Sequence, residues 1–258
     1  MSYKHYAVFA QWLLFIFPLR KLKACLSRAS QHDSAAKGSL DKFLSANTSL
    51  WKEVDADRSL NTKERYVLVE GLIETSGYVM TNLVIARHIM NIYGLGGAGL
   101  LNQPNSKFGS ICKSYGIDRF HYLSEREQGW FQGIKDAWKA LQLLGDVKNA
   151  DDLLKVTFNE ITIGKIVYDN YLRSTGYGTL SGISWRVFEG LVRSINHLEY
   201  LEGLFRTGMF PVLILAEKQF IPSGLVCQAA LKHNVVIYSR GGGPTAFTVR
   251  RYDHLDQY

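Results

Sequence analysis

The sequence predicts an α/β fold in which helices flank a parallel, Rossmann-like sheet. Two parts of the chain show a strand, helix, strand pattern, one starting near residue 65 and the other near residue 211. In both, short apolar runs rich in β-branched residues alternate with a longer stretch of helical periodicity, which indicates strands buried on both faces. Because a crossover helix joins parallel strands, the two patterns predict one parallel sheet. With 258 residues, 47% of them hydrophobic, the chain is long enough to bury such a core.

The first pattern begins with the apolar run RYVLVEGLI from Arg65 to Ile73. Thr75 to Gly77 predict a turn, and apolar residues then recur at helical spacing from Tyr78 to Tyr93. Glycines from Gly94 to Gly99 predict the end of this helix, and the next strand is expected at Ala98 to Asn102.

The middle of the chain predicts a helical insertion. Apolar stripes run through Glu125 to Leu144 and through Ser184 to Phe205, and Asn196 is expected on the solvated face of the second helix. The second strand, helix, strand pattern follows, with its elements at 211–216, 222–233 and 235–239.

Two glycine clusters invite comparison with phosphate-binding loops. Gly94, Gly96 and Gly99 satisfy G-x-G-x-x-G, but that fingerprint requires glycines between a strand and a helix, and these follow a helix. We therefore interpret them as a helix-terminating turn. The run from Gly241 to Gly243 follows a strand, but the strand-like AFTVRRY comes next, so a plain turn and a close approach to a ligand both stay open.

The net charge of +7 lies mostly at the N-terminus. Residues 1 to 32 carry five of the seven excess positive charges and no acidic residue, so the remainder is nearly neutral and no nucleic-acid partner is expected. The apolar run from Tyr6 to Leu19 is too short to span a bilayer as a helix. A membrane-surface helix within residues 4–28, a buried core helix and a signal segment stay open, and the flanking basic residues favour the first.

Small polar residues from Ser27 to Ser39 predict a linker. The predicted organisation is thus an anchor helix with its linker at 1–40 and a folded domain at 41–258. Cys25, Cys112 and Cys227 are far apart and lack C-x-x-C spacing, which indicates reduced thiols in a cytosolic protein. No histidine pair has metal-ligand spacing, so neither a metal nor a cofactor is assigned.

Polar residues follow the predicted strands, where the ligands of open α/β sheets bind. The turn after the first strand and the start of the next helix carry carboxylates, hydroxyls and free amides that suit a sugar or a phosphate, although helix capping is the alternative explanation. Other polar residues follow or end the later strands at the same predicted edge. The substrate-binding candidates of this edge are Glu74, Ser76, Gly77, Asn82, Glu217 and Arg240.

A second group of candidates lies between Phe158 and Leu180, where the chain reads FNEITIGKIVYDNYLRSTGYGTL. A solvated helix face carries more Lys and Glu and fewer aromatic residues, whereas a buried core excludes unpaired Asp and Arg, so we interpret this stretch as a pocket wall. An ion pair between Asp169 and Arg173, four residues apart on a helix, is the alternative interpretation.

The segment IGKIVYDNYLR, from Ile163 to Arg173, resembles the motif I-G-D-L-I-Y-D-T-Y-L-R of a bacterial protein family. Members of this family build surface carbohydrates and capsular polysaccharides, and they look like glycosyltransferases of the two-Rossmann-domain, GT-B type. The segment LAEKQFIPSGLVCQAALKHNVVIYSRGG is similar to the last strand, helix and strand of that family's N-terminal domain. The resemblance spans residues 60 to 258. Lys165 stands where the family has an acid.

The resemblance implies that the chain is the N-terminal, acceptor-side half of a GT-B fold. Its partners would be a nucleotide-activated sugar donor and a glycan or lipid-linked acceptor, and it would lie peripherally on the inner, cytoplasmic face of the cytoplasmic membrane. The second Rossmann-like domain of a GT-B enzyme holds most of the donor. Since the sequence ends at Tyr258, the donor domain is expected to be absent from this chain.

Sugar transfer requires a base for the acceptor hydroxyl, or a carboxylate that stabilises an oxocarbenium-like transition state. Within the resemblance, Asp169 and Glu160 are the catalytic candidates. Tyr171 is a substrate-binding candidate because it can stack on a sugar ring, and Arg173 is one because its planar fork fits an anionic sugar or a phosphate. The alternative hypothesis is a non-catalytic glycan-binding or scaffold module without a donor domain, so enzymatic activity stays open.

Overall fold

A computed structural model describes residues 34–56, 64–73, 75–104, 106–125, 129–180, 182–242 and 247–254 of this protein. These residues form an α/β fold in which helices flank a six-stranded, mostly parallel, Rossmann-like sheet, as the sequence predicts. A short 3₁₀ turn follows β3 at Leu123–Glu125. In chain order the elements are α1 (Ser34–Ala56), β1 (Tyr66–Glu70), α2 (Ser76–Tyr93), β2 (Gly96–Leu101), α3 (Lys107–Ser114), β3 (Arg119–Tyr122), α4 (Trp130–Leu143), α5 (Ala150–Leu154), α6 (Ile163–Thr175), α7 (Trp185–Arg206), β4 (Val212–Leu215), α8 (Ser223–Lys232), β5 (Val236–Gly242) and β6 (Phe247–Tyr252).

The six strands stand in the order β3-β2-β1-β4-β5-β6. The first five strands are parallel, whereas β6 runs antiparallel to β5 and forms one edge of the sheet. Strand β3 forms the opposite edge. Because the chain winds outward from β1 to β3 and then returns to the other side of β1, the strand order reverses between β1 and β4. Ligands of open α/β sheets bind beyond the carboxyl ends of the strands at such a point.

Strand β2 has the sequence GGAGLL, and close packing explains its glycines. A Cβ atom on Gly97 would lie 2.7 Å from Cγ1 of Ile117, which is too close for two carbon atoms. Gly94 ends α2 with a φ of 62°, the left-handed conformation that favours glycine at a helix C-terminus. The predicted helix end is confirmed at Gly94. The strand, however, begins at Gly96, two residues before its predicted start at Ala98. Its glycines have no side chains, and side chains of neighbouring elements fill the space beside them.

Helix α1 begins at Ser34, inside the predicted linker. The sequence interpretation placed a linker up to Ser39 and the start of the domain near Asp41, but residues 34–39 are helical. The small polar residues at the start of this helix concealed the apolar stripe that follows them. Side chains of this stripe pack against the core of the sheet at helical spacing, and they are Leu40, Phe43, Leu44 and Trp51.

The chain forms two compact units. The sheet unit contains Ser34–Glu125, Tyr200–Lys218 and Val226–Tyr258, and the helical unit contains Arg126–Glu199 and Gln219–Leu225. In the sheet unit, side chains of α2 and α3 share one hydrophobic core with β1, β2 and β4. Its most deeply buried members include Val67, Leu83, Leu101, Ile117 and Ile214.

Helices α5, α6 and α7 pack closely in the helical unit. The backbone N–H of Gly164 donates to the carbonyl oxygen of Val156 at 2.9 Å. A Cβ atom on Gly164 would lie 2.9 Å from the carbonyl carbon of Leu153 and closer still to its oxygen. Gly190 of α7 approaches Val167 of α6 in a similar way, since a Cβ atom there would lie 3.0 Å from Cγ1 of Val167. Glycine thus sets the spacing of these helices.

A buried polar cluster joins α4 to α7, and no sequence pattern predicted it. Asp136 is fully buried, and its carboxylate accepts hydrogen bonds from Nε2 of Gln132 at 2.6 Å and from Nδ2 of Asn196 at 2.8 Å. The prediction that Asn196 lies on the solvated face of its helix is wrong, since the residue is only 7% exposed. The amide of Asn196 is buried beside Asp136 because a buried carboxylate that accepts no hydrogen bond destabilises the fold.

The predicted membrane-surface segment, residues 4–28, lies outside the described residues, as do Glu74 and Gly243. Among the helices that are described, none combines the length and the apolar character needed to cross a bilayer.

Candidate functional site

The carboxyl edge of the sheet is polar at the point where the strand order reverses. Val69 pairs with Ile214, and Leu215 pairs with Ser239, so the next residue of β1, Glu70, lies in the same row as Leu215 and Ser239. Residues in one row of a sheet point to the same face. Glu70 and Ser239 are both buried. The strand ends therefore present polar groups directly above an apolar core.

Helix α2 starts at this edge with backbone amides that no helical carbonyl satisfies. Its N-cap residue, Thr75, makes no side-chain capping hydrogen bond, and the first turn carries no acidic residue. Ser76 and Gly77, two of the predicted substrate-binding residues, form the start of this helix and are exposed. Free amides and the positive end of the helix dipole together favour an anion, such as a phosphate or a carboxylate.

Arg240 adds a full positive charge at the start of α2. The residue follows the row of strand ends in β5, and its guanidinium carbon lies 4.9 Å from the ring centroid of Tyr78, the third residue of α2. Stacking on an aromatic ring holds the guanidinium in place, and its planar fork fits a phosphate or carboxylate with two hydrogen bonds. The structure thus brings Arg240 to the first turn of α2, which begins with Ser76 and Gly77.

Asn82 and Glu217, two other predicted residues of this edge, make hydrogen bonds at the strand ends, as does Glu70. Asn82 is fully buried, and its Nδ2 donates to the carbonyl oxygen of Glu70 at 3.2 Å, which ties α2 to the end of β1. One carboxylate oxygen of Glu70 accepts the backbone N–H of Leu72 at 3.1 Å. Glu217 follows β4 and accepts the backbone N–H of Lys218 at 2.6 Å. These contacts fix the strand ends rather than the surface of the edge.

Lys218 and Tyr252 form a hydrogen-bonded pair that the sequence did not predict. Nζ of Lys218 donates to Oη of Tyr252 at 2.7 Å and lies 4.3 Å from the centroid of its ring. This hydrogen bond lowers the pKa of Tyr252 below its ordinary value. The two residues stand 34 positions apart, and no motif spacing signals such a pair. The only sequence signal was the position of Lys218 directly after a predicted strand.

Helix α6 of the helical unit turns one face to the core. Its buried side includes Tyr171, which is only 6% exposed and whose ring lies 6.5 Å from the ring of Tyr177, centroid to centroid. Gly164 is explained by the close approach of α5. Much of the segment that resembles the surface-carbohydrate family is therefore accounted for by packing. For contact with a sugar ring, Tyr177 at 63% exposure offers more surface than Tyr171.

Asp169 and Arg173 do not form the ion pair that was considered as an alternative. Both residues are described, and neither a hydrogen bond nor a salt bridge joins them. Arg173 instead places its guanidinium carbon 4.3 Å from the ring centroid of Phe220. Asp169 is half-buried on the same helix.

Glu160 lies in a tight turn before α6. Phe158 and Ile161 form an isolated antiparallel bridge, and the two residues between them, Asn159 and Glu160, have φ values of 47° and 63°. Two successive positive φ values define a type I′ turn. Non-glycine residues in this conformation cost about 1 kcal/mol or more each. The side chain of Glu160 is exposed.

Among the described residues, no group of three or more His, Cys, Asp or Glu side chains is arranged to hold a metal ion. Cys112 and Cys227 are buried free thiols, and burial raises the pKa of each to about 12. Both are therefore neutral at physiological pH. Cys25 lies outside the described residues.

The strongest candidate site is thus the carboxyl edge of the sheet unit, where Arg240 and the start of α2 converge above the buried Glu70 and Asn82. Comparisons of the chain with protein-family models, curated proteins and solved structures found no match. The chemistry of the residues is what supports a function.

Proposed function

We propose that this chain is a glycosyltransferase of the GT-B type, or the acceptor-binding half of one. It transfers a sugar from a nucleotide-activated donor to a lipid-linked or growing cell-surface polysaccharide. The observation that carries this proposal is the anion-binding arrangement of Arg240 and the free amides of α2 at the reversal of strand order. The resemblance of the α6 segment to surface-carbohydrate enzymes supports the same class.

The arrangement suits a lipid-linked acceptor because such an acceptor carries a phosphate or diphosphate between its lipid and its sugar. The amides at the start of α2 and the guanidinium of Arg240 supply hydrogen-bond donors and positive charge for that group. The basic, aromatic segment at residues 4–28 supports docking on the inner face of the cytoplasmic membrane, where lipid-linked intermediates are found.

Asp169 and Glu160 remain the proposed catalytic carboxylates, and Tyr171 and Arg173 the proposed sugar contacts, on the strength of the resemblance. Asp169→Asn is expected to lower kcat without changing KM, since the substitution keeps the shape and removes the charge. Transfer at an unchanged rate would remove Asp169 from the mechanism.

Binding is tested by titrating the full chain with a soluble, short-lipid diphosphate saccharide. Arg240→Ala is expected to weaken this binding by roughly 10- to 100-fold, the effect of losing hydrogen bonds to a charged group. Arg119→Ala is the matched control, because Arg119 also stacks on a tyrosine, with its guanidinium carbon 4.2 Å from the ring centroid of Tyr66, but at the amino edge of the sheet. Equal affinities for the two variants would contradict the site.

Transfer is tested by incubating the same protein with nucleotide-activated sugars and the lipid-linked acceptor and detecting the product by mass spectrometry. A non-catalytic glycan-binding module is the second candidate, and the solvent exposure of Glu160 favours it, because catalytic groups act in sites that exclude water. Binding that depends on Arg240 without any transfer would favour this module over the enzyme.

A further inference from the structure

We infer that an apolar strip between α2 and β6 holds the lipid tail of the acceptor whose phosphate Arg240 binds. The inference rests on the proposed function for the head group of this ligand, and the strip lies wholly within the sheet unit. The side chains of this α2–β6 strip are Tyr78, Ile85, Ile92 and Tyr93 of α2, Tyr238 of β5 and Val249 of β6.

Strands β5 and β6 supply the sheet half of the strip. Tyr238 pairs with Ile214 of β4, and Arg240 pairs with Val249 of β6. Ile214 belongs to the hydrophobic core that β4 shares with α2. Paired residues point to the same face of a sheet, and so do alternate residues of one strand. Tyr238, Arg240 and Val249 therefore all point to the face on which α2 packs.

Helix α2 supplies the other half, and contacts near its two ends hold it alongside β5. The ring of Tyr78 stacks on the guanidinium of Arg240, and Oη of Tyr93 lies 3.1 Å from Oη of Tyr238. Seven residues make nearly two full helical turns, so residues at this spacing share one flank, and fourteen residues extend about 21 Å. The residues at this spacing on the flank are Tyr78, Ile85 and Ile92.

The strip is exposed although it is apolar. The exposed fractions are 73% for Ile92, 46% for Tyr93, 43% for Val249 and 40% for Tyr78. The hydroxyls of Tyr93 and Tyr238 bond to each other, so the two rings present apolar surface rather than unpaired polar groups. A contiguous exposed apolar patch on a protein surface marks a site for a ligand, a membrane or a partner.

The charge around the strip selects among these occupants. Neither α2 nor β5 nor β6 contains an acidic residue, and Asp253, which directly follows β6, is paired with Arg251 at 2.9 Å. A second copy of this chain would bring arginine against arginine. Residues 1–32 of the chain carry no acidic residue either, so they do not complement this charge. The complementary occupant has an anionic group at the Arg240 end and an apolar remainder.

A lipid-linked phosphate has this chemistry. The strip begins at Tyr78, directly beside Arg240 and the free amides of α2, so a tail that leaves a phosphate bound there enters the strip at once. Complete burial of one methylene group strengthens binding about fourfold. A tail on an open surface is covered on one side only, so we expect a factor of about two for each carbon.

The experiment measures how affinity depends on tail length. The full chain is titrated calorimetrically with inorganic diphosphate and with dimethylallyl, geranyl and farnesyl diphosphate, each below its micelle concentration. These probes share the diphosphate and differ by five carbons per step in the tail. Affinity is expected to rise by tenfold or more, on the order of 10- to 30-fold, for each step.

Variants of exposed residues locate the tail without disturbing the core. Ile92→Gln and Val249→Thr, which adds a polar hydroxyl at nearly constant volume, are each expected to weaken farnesyl diphosphate binding by roughly 3- to 10-fold. Neither should change the affinity for inorganic diphosphate. Leu50→Gln is the matched control because Leu50 is also an exposed aliphatic residue on a helix, at 53% exposure. Its neighbour Trp51 contacts Arg87, which lies on the opposite flank of α2 from Tyr78.

The outcomes separate this inference from the proposed function. Inorganic diphosphate that binds through Arg240 while the tail adds nothing overturns the inference alone. So does a loss in Leu50→Gln equal to that in Ile92→Gln, or an equal loss of inorganic diphosphate binding in Ile92→Gln. Binding that depends on the tail and on Ile92, without sugar transfer, supports the lipid site and overturns the transferase. A protein that binds none of the four probes overturns both.

Discussion

Replacing Gly164 by alanine is expected to lower the free energy of unfolding by about 2 to 3 kcal/mol. The new Cβ atom meets the backbone carbonyl of Leu153, which lies in the last turn of α5 and cannot rotate away as a side chain can. Such overpacking costs typically 1–3 kcal/mol, and the hydrogen bond from Gly164 to Val156 adds about 1 kcal/mol when it breaks. Alanine's better helix propensity returns about 1 kcal/mol.

Gly203→Ala is the matched control because Gly203 also lies in a helix, α7, and a Cβ atom there would meet no atom within 4 Å. This variant gains the propensity without the clash and is expected to stabilise the protein by about 0.5–1 kcal/mol. Urea unfolding followed by circular dichroism measures both variants through the shift of the midpoint at constant slope. If Gly164→Ala proves as stable as Gly203→Ala, the packing explanation of the motif glycine is refuted.

Three further outcomes are expected. Asn196→Ala should lower the free energy of unfolding by about 1–3 kcal/mol, because Asp136 loses a buried hydrogen-bond donor; urea unfolding measures it, and no loss would contradict the buried cluster. The thiols of Cys112 and Cys227 ionise at about 12 in the folded protein and near 9.0 in the unfolded chain, so the unfolded chain releases protons first as the pH rises above 9. Each thiol should therefore lower the stability by about 1.4 kcal/mol per pH unit in that range, and Cys112→Ala should remove about that much from the slope in unfolding experiments at several pH values. Deletion of residues 1–30 should abolish co-flotation with anionic liposomes, and unchanged flotation would dispose of the membrane-surface anchor.

The positions of the strands and of most helices could be predicted from local sequence patterns. Each β-branched apolar run of the two strand, helix, strand patterns became a parallel strand, because a strand buried on both faces needs apolar residues at every position. Gly94 was recognised as a helix end for a local reason, its left-handed φ. Strand β2 was placed two residues late because its glycines are required by Ile117 and other side chains distant in the sequence, which no local pattern reveals.

The sequence also predicted only a part of the candidate site. Ser76, Gly77 and Arg240 were identified from their places next to strand ends, and the parallel topology brings them to one edge. The pair formed by Lys218 and Tyr252 was not foreseeable, because its members meet only through the antiparallel return of β6. Sequence position indicates which residues reach an edge, whereas side-chain pairing across that edge depends on the register of the sheet.

The edges of the sheet also bear on how the protein behaves at high concentration. An unpaired strand edge is a template for association with another chain, and charged residues on short edge strands oppose it. Both edges follow this pattern, since β3 has four residues and begins with the exposed Arg119, and β6 carries the exposed Arg250 and Arg251. Two molecules that meet edge to edge therefore bring arginine against arginine. This electrostatic protection against aggregation weakens with ionic strength, so concentrated stocks of the protein should be more prone to self-association in high salt than in low salt.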